Sequence, residues 1–269
     1  MTDATEPFAI SISQLRKCFD HVAALEGLDL QVAHGCIFGL LGPNGAGKST
    51  AIKMLTTLLD PTSGSATVAG FDIARQPVEV RRHIGYVPQM LSADGALTAI
   101  ENLNLSARLH GLHGAQRRAR VKDAIAFAGL EASASKLVRT YSGGMIRRLE
   151  IAQATLHNPQ VLFLDEPTIG LDPIARRTVW ERLEQLRDKG TTILITTHDM
   201  EEADTLCDEL AILHQGRLAV VGKPDALKAQ VGEQASLDDV FVHFSGVGLE
   251  QDGNYRGTRD SRDAIQRLG

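Results

Sequence analysis

Aromatic residues make up only 4% of this 269-residue chain, so its core has to be built from aliphatic side chains. Cysteine is scarce as well. Cys18, Cys36 and Cys207 are odd in number, widely scattered and without metal-ligand spacing, which speaks against a disulfide framework or a zinc site and for three reduced thiols. Long apolar runs are missing: stretches such as 36–42 and 161–164 fall far short of the ~18 residues that a membrane-spanning helix needs. The polar, acidic start shows neither a basic n-region nor an apolar h-region, so no secretory signal is expected. There is no excess of positive charge either. Twenty-eight Lys and Arg face 33 Asp and Glu, a formal net charge of -5, and such a surface lacks the broad electrostatic footprint of a nucleic-acid binder. What remains is 43% hydrophobic and 23% charged, the composition of an ordinary folded globule. The length suits one large α/β domain with an inserted lobe and is too short for two full-size domains.

Short apolar runs alternate with longer helical patterns, which predicts strands joined by crossover helices and a largely parallel sheet. The strand candidates are Phe8 to Ser13, Leu25 to Val32, Ile37 to Leu41, Ala66 to Ala69, Ile84 to Val87, Val161 to Leu164, Thr192 to Thr196, Leu210 to His214 and Leu218 to Val221. Between Val87 and Val161 the pattern is helical instead: Thr98 to His110, Ala115 to Ala128, capped by Gly129, and Gly144 to His157. A helical lobe is therefore expected inside the α/β core. Leu237, Val240, Phe241 and Phe244 recur at helical spacing and define one apolar stripe suited to packing on the same domain. From Ser245 to Gly269 few large apolar residues remain, and a mobile tail is expected there. Arg117-Arg118-Ala119-Arg120 and Arg147-Arg148 read as solvated helix faces.

The strongest chemical signal is Gly42-Pro43-Asn44-Gly45-Ala46-Gly47-Lys48-Ser49, between a strand and a helix start. It fits the phosphate-loop pattern G-x-x-x-x-G-K-[ST]. Its glycines let backbone N–H groups turn inward around phosphate oxygens, Lys48 supplies a point charge near the β and γ phosphates, and the Ser49 hydroxyl can ligate Mg²⁺. A phosphate loop alone does not separate GTPases, kinases and ATPases. The run Val161 to Leu164 ends in Asp165-Glu166, two carboxylates at the strand end where open α/β sheets bind ligands. Asp165 suits Mg²⁺ and Glu166 suits a general base acting on the attacking water. Neither Asn-Lys-x-Asp nor Asp-x-x-Gly occurs, which weakens the GTPase reading, and no site for a second substrate marks a kinase. Tyr141-Ser142-Gly143-Gly144-Met145 precedes a helical pattern and offers a second anion site, or a plain N-cap.

Together these residues resemble the nucleotide-binding subunit of ATP-binding cassette transporters, from about Phe8 to Gly246. Gly42 to Ser49 matches the Walker A loop, Gln89 in Val87-Pro88-Gln89 the Q-loop, and Ser142-Gly143-Gly144 the signature. Val161 to Glu166 matches Walker B, Gly170-Leu171-Asp172 the D-loop, and His198 in Thr196-Thr197-His198-Asp199 the switch histidine. The resemblance implies a phosphate-loop NTPase core with a mostly parallel sheet, an antiparallel β subdomain and an inserted α-helical subdomain. It implies an ATPase domain over 8–244, with the helical subdomain at about 90–158 and a C-terminal segment at about 223–244.

The same resemblance implies ATP and Mg²⁺ as ligands. Nucleotide would be held by Phe19, Gly42, Asn44, Gly45, Gly47, Lys48, Ser49, Thr50 and Asp172, and, from the facing subunit's signature, by Ser142, Gly143 and Gly144. Phe19 stands where the family usually carries a tyrosine stacked on adenine; a buried core phenylalanine is the other reading. Ser49, Gln89 and Asp165 would serve the metal, and Glu166, His198 and Gln89 the hydrolysis. The family pairs two cassettes head to tail, as a homodimer or with a second cassette, on a separate transmembrane permease at the cytoplasmic face of the membrane. Departures from its commonest pattern are Tyr141 for leucine, Met145 for glutamine and Ile169-Gly170 for Ser-Ala. The Tyr-Ser-Gly-Gly-Met form and the late Ser236-Leu237-Asp238-Asp239-Val240-Phe241 segment look like drug-resistance exporters of the daunorubicin type. The alternative is a soluble mechanical ATPase that keeps the cassette and leaves transport aside, with a phosphate-loop kinase as a distant third.

Overall fold

The apolar runs that read as strands are covered on both faces, and this fixes the middle of the molecule. The computed structural model describes residues 7–245. In chain order its elements are β1 (Ile10–Phe19), β2 (Val22–Val32), β3 (Ile37–Leu41), α1 (Lys48–Leu55), β4 (Ser63–Val68), β5 (Phe71–Asp72), α2 (Pro77–His83), β6 (Ile84–Val87), α3 (Ala99–Leu109), α4 (Gly114–Ala128), α5 (Gly143–Thr155), β7 (Val161–Asp165), α6 (Pro173–Arg187), β8 (Thr192–Thr197), α7 (Met200–Leu206), β9 (Glu209–His214), β10 (Arg217–Gly222), α8 (Pro224–Val231) and α9 (Leu237–Ser245). Every residue of β3, β7 and β8 is buried, as expected of parallel strands with elements on both sides.

The larger sheet runs β10-β9-β3-β8-β7-β6. All its neighbours are parallel except β10, which turns back antiparallel on β9. A second, antiparallel sheet runs β2-β1-β4-β5 and packs over one face, where Ile10, Leu15, Leu28, Phe38, Ile52, Met54, Phe163 and Leu194 share one core. The opposite face carries α6, α7, α8 and α9 in a second core around Leu162, Leu183, Ile195, Leu206 and Val240. Helices α3, α4 and α5 bury Leu103, Val121 and Leu149 among themselves in a third. The expected α/β architecture with an inserted helical lobe is thus present.

Sequence periodicity misplaced the first strands. β1 continues to Phe19 because Gln14, at φ 48°, sits at a register shift and inserts one residue into the alternation. Ile10 and Ile12 face the core before it and Leu15 after it, a change of phase that a bulge produces and that alternation reads as a strand end. β5, two residues long, left no periodic signal. In the lobe Thr98 forms a capping box with Glu101 at the start of α3, and Gly129, as expected, closes α4 at φ 61°. Leu237 and Val240 of α9 are buried in the second core, with Phe241 and Phe244 packed against it. The tail expected from Ser245 onward lies outside the described residues apart from Ser245, the last residue of α9. Among the described residues no helix is long and apolar enough to cross a membrane.

The β9–β10 connection stitches the layers together. Gln215 and Gly216 both have positive φ, 47° and 76°, the two-residue turn that matches strand twist. Gly216 donates its N–H to the carbonyl of Ala46 at 3.1 Å and accepts from Glu26 N–H at 2.9 Å. Arg217 pairs with the Glu26 carboxylate at 2.6 Å. One turn therefore ties the antiparallel sheet, through β2, to the loop preceding α1.

Candidate nucleotide-hydrolysis site

Strand register brings the expected residues to one edge. Leu41, the last residue of β3, pairs with Thr197 of β8. Asp165, the last of β7, pairs with Thr196, and Val87, the last of β6, pairs with Leu164. Residues just beyond these ends, Gly42, His198, Glu166 and Gln89, consequently share the carboxyl edge of a parallel sheet, where such sheets bind ligands.

The loop after β3 needs its glycines for clearance as well as for backbone angle. A side chain on Gly42, at φ 152°, would come within 2.2 Å of the Leu213 carbonyl. On Gly47, at φ 103°, it would meet Ala24 O at 2.6 Å. Gly47 is the N-cap of α1 and no side chain caps that helix, so its first N–H groups have no intrahelical partner. Lys48 is buried, and its ammonium donates to the carbonyls of Gly42 at 2.6 Å and Pro43 at 3.1 Å. Burial pulls its pKa below the ordinary value, against the opposing pull of Glu166 and Asp165.

The acids sit opposite. Ser49 Oγ donates to Asp165 Oδ1 at 3.1 Å, and Thr196 Oγ1 donates to the same oxygen at 2.5 Å. Glu166 has a left-handed backbone, φ 48°, a conformation that non-glycine residues hold only where surrounding bonds enforce it. Here its N–H donates both to Thr196 O and to Thr196 Oγ1, each at 3.1 Å. Its carboxylate, 8% exposed, lies 3.8 Å from Lys48 Nζ. Gln89 Nε2 donates to Glu166 Oε2 at 3.4 Å. His198 Nδ1 stands 3.2 Å from Glu166 Oε1, but Nδ1 has no partner in hydrogen-bond alignment, so this is a close approach and not a formed bond. Lys48, Ser49, Gln89, Asp165, Glu166 and His198 thus form one connected cluster.

Of the remaining expected residues, Asn44 and Gly45 belong to the same loop as Gly42 and Gly47, and Thr50 to the first turn of α1, while the others sit on other elements. Ser142 is the N-cap of α5, its hydroxyl accepting from Met145 N–H at 3.3 Å. Gly144 is buried, and a methyl there would stand 2.6 Å from Ala175 Cβ on α6, whereas one on Gly143 would make ordinary contact with Leu171 at 3.4 Å. Asp172 caps α6, accepting from Ile174 and Ala175 N–H at 3.0 and 2.9 Å. Phe19 ends β1 with 47% exposure and Lys17 Nζ 5.2 Å from its ring centre, so it is no core residue. The departures at the signature are packing choices: Tyr141 is buried with its hydroxyl on Ser133 O at 2.7 Å, and Met145 packs against the lobe core.

Three features escaped the sequence reading. Thr196, fully buried, anchors both acids. Glu202, 1% exposed, accepts from Thr168 Oγ1 at 2.7 Å and Trp180 Nε1 at 3.0 Å, joining the segment after Glu166 to α6 and α7. The reading of Arg147-Arg148 as a solvated face is overturned. Arg147 is 3% exposed and forms a buried ion pair with Glu150 at 3.0 Å, while Arg148 donates to Ala128 O at 2.9 Å. Arginines one helical turn from an acid were the available signal, but spacing does not reveal which side of a helix is covered.

The donor set suits a hard cation. A hydroxyl, a carboxylate and an amide oxygen can come from Ser49, Asp165 and Gln89, and all-oxygen sets favour Mg²⁺.

A phosphate loop, a carboxylate pair and a histidine at one sheet edge define a phosphate-loop nucleotide hydrolase. The family model for ABC transporters matches residues 25–169, and the chain belongs to that family. It is 46% identical, over 83% of its length and 68% of the relative's, to the daunorubicin/doxorubicin resistance ATP-binding protein of Streptomyces peucetius. It is 44% identical, over 87% and 76% respectively, to the Nod factor export ATP-binding protein I of Cupriavidus metallidurans. A solved dimeric ATP-binding cassette in a post-hydrolysis state with ADP and Pi superposes with a TM-score of 0.72 at 27% identity, covering 80% of this chain and 98% of that one. The chain is accordingly an ATP-binding, ATP-hydrolysing subunit of the ABC transporter type.

Proposed function

We propose that this subunit powers export of a drug-like or lipophilic compound through a separate membrane permease, at whose cytoplasmic face it sits, and that two cassettes pair around ATP to do so. Relatives named for drug resistance and for Nod factor export support the direction of transport. The ATPase domain is taken as 8–244, with the lobe at about 90–158 and the C-terminal segment at about 223–244.

In this reading the N–H groups of Asn44, Gly45, Gly47, Ser49 and Thr50 and the Lys48 ammonium hold the phosphates, and Phe19 stacks on the base. Ser49, Asp165 and Gln89 hold Mg²⁺, which when bound neutralises charge on the phosphate oxygens. Glu166 accepts the proton of the attacking water, and His198 keeps that carboxylate and the water in register. Ser142, Gly143 and Gly144 of each cassette complete the site of the other, so hydrolysis requires association. Both helix ends involved are positive, and one triphosphate can satisfy both.

The observation that supports the catalytic assignment is the convergence of Lys48, Gln89 and His198 on the Glu166 carboxylate. Glu166→Gln keeps the size, leaves one oxygen to accept from a neighbour and removes the base. Turnover should fall roughly 10²- to 10⁴-fold, with the protein eluting as an ATP-bound dimer from a sizing column. Elution as monomer with ATP present, or near-normal turnover, would refute the assignment.

A further inference from the structure

The segment that carries Gln89 is held by two side chains of the signature helix. Arg147, on α5 just beyond Ser142–Gly144, uses its guanidinium fork on the exit of β6: Nη1 donates to Pro88 O at 2.8 Å and Nη2 to Gln89 O at 2.9 Å. Its Nη1 also meets Glu150 Oε2 at 3.0 Å. The other oxygen of Glu150 accepts from Ser92 N–H, from Ser92 Oγ at 3.1 Å and from Ala93 N–H at 3.3 Å. Arg147 and Glu150 are each 3% exposed. The main chain on both sides of Gln89 is thus pinned to one turn of α5, while the Gln89 amide reaches Glu166.

We propose that Arg147, braced by Glu150, is a positioning residue that fixes the Gln89 backbone and so couples the signature end of α5 to the Glu166 carboxylate. A movement of the lobe that shifts α5 then carries Gln89 with it, because five hydrogen bonds to buried groups travel together. The proposal rests on the catalytic reading of Gln89 and Glu166 given above. Lysine could not replace the arginine, since a single ammonium lacks the planar fork that serves two neighbouring carbonyls at once.

The test compares steady-state ATP hydrolysis and equilibrium binding of a fluorescent ATP analogue by the full-length chain, for Arg147→Lys, Gln89→Ala and their combination. Arg147→Lys should lower kcat roughly ten- to a hundred-fold, the scale of a misplaced positioning group. KM and nucleotide affinity should stay within about twofold, since the lost interaction serves the reacting state alone. In the Gln89→Ala background the same substitution should have no further effect, as both act through one amide. Should Arg147→Lys fail to fold, Arg147→Met with Glu150→Leu replaces the pair by apolar side chains of similar size, which interiors accept, and should show the same loss of kcat. Wild-type kcat in a folded variant, or losses that multiply with that of Gln89→Ala, would overturn the coupling and leave the site assignment standing. A wild-type chain that binds the analogue and hydrolyses nothing would sink both.

Discussion

Thr196 has no charge and no exposed surface, yet both acids of the site depend on it. Its hydroxyl donates to Asp165 and accepts from the Glu166 backbone. Thr196→Val keeps the shape and removes two buried hydrogen bonds, leaving Asp165 Oδ1 with Ser49 and the Glu166 N–H with the Thr196 carbonyl, at about 0.5–1.5 kcal/mol for a neutral bond and more for the one to the carboxylate. The unfolding midpoint should drop by several degrees, at roughly 2–4 °C per kcal/mol for a chain of this size. Turnover should fall as well, because the strained Glu166 backbone loses one of its two acceptors. Calorimetry and an ATPase assay on the same preparation check the pair, and an unchanged midpoint would count against the anchoring role. Nothing in the sequence separates Thr196 from the threonine beside it. Lys48, Asp165 and Glu166 were legible because their motifs are local, whereas the group that orients them comes from a neighbouring strand.

At the scale of elements, the glycine pair at the start of α5 divides into two roles. Helix propensity alone favours Gly→Ala at either position, by less than the roughly 1 kcal/mol of a helix interior because these are the first two residues of α5. At Gly144 a new methyl would stand 2.6 Å from Ala175 Cβ, and the backbones of α5 and α6 would have to separate. Overpacking of that kind costs typically about 1–3 kcal/mol, so the clash wins. Gly144→Ala should lower thermal stability and Gly143→Ala should leave it level or raise it, as thermal unfolding of the two variants would report. The opposite order would refute the packing account. Strong periodicity and cap chemistry made α3, α4 and β3 readable. The bulge at Gln14 and the two-residue β5 were not, since one changes the phase of the alternation and the other is too short to have one. The burial of Arg147 was hidden although Glu150 stands one turn away, because the carbonyls of residues 88 and 89 that also take its guanidinium are distant in the chain and invisible to charge patterning.

For the whole molecule, the question is what α9, the last helix among the described residues, contributes. Leu237 and Val240 are 2% and 0% exposed, and burying such a side chain contributes about 1.5–3 kcal/mol. Truncation after Gly232 should therefore destabilise the folded chain by a few kcal/mol, read as a lower denaturant midpoint with a smaller m-value. An unaffected midpoint would mean that α9 serves a partner instead.

The β9–β10 turn has a practical corollary. Hairpin tips are ordinarily the safest places to splice in an epitope or a fluorophore. This one is bonded on one side to Ala46, inside the phosphate loop, and on the other to Glu26. A short insert between Gln215 and Gly216 should therefore weaken nucleotide affinity although it touches no residue of the site's own motifs, and anyone planning a fusion here does better to look elsewhere on the surface.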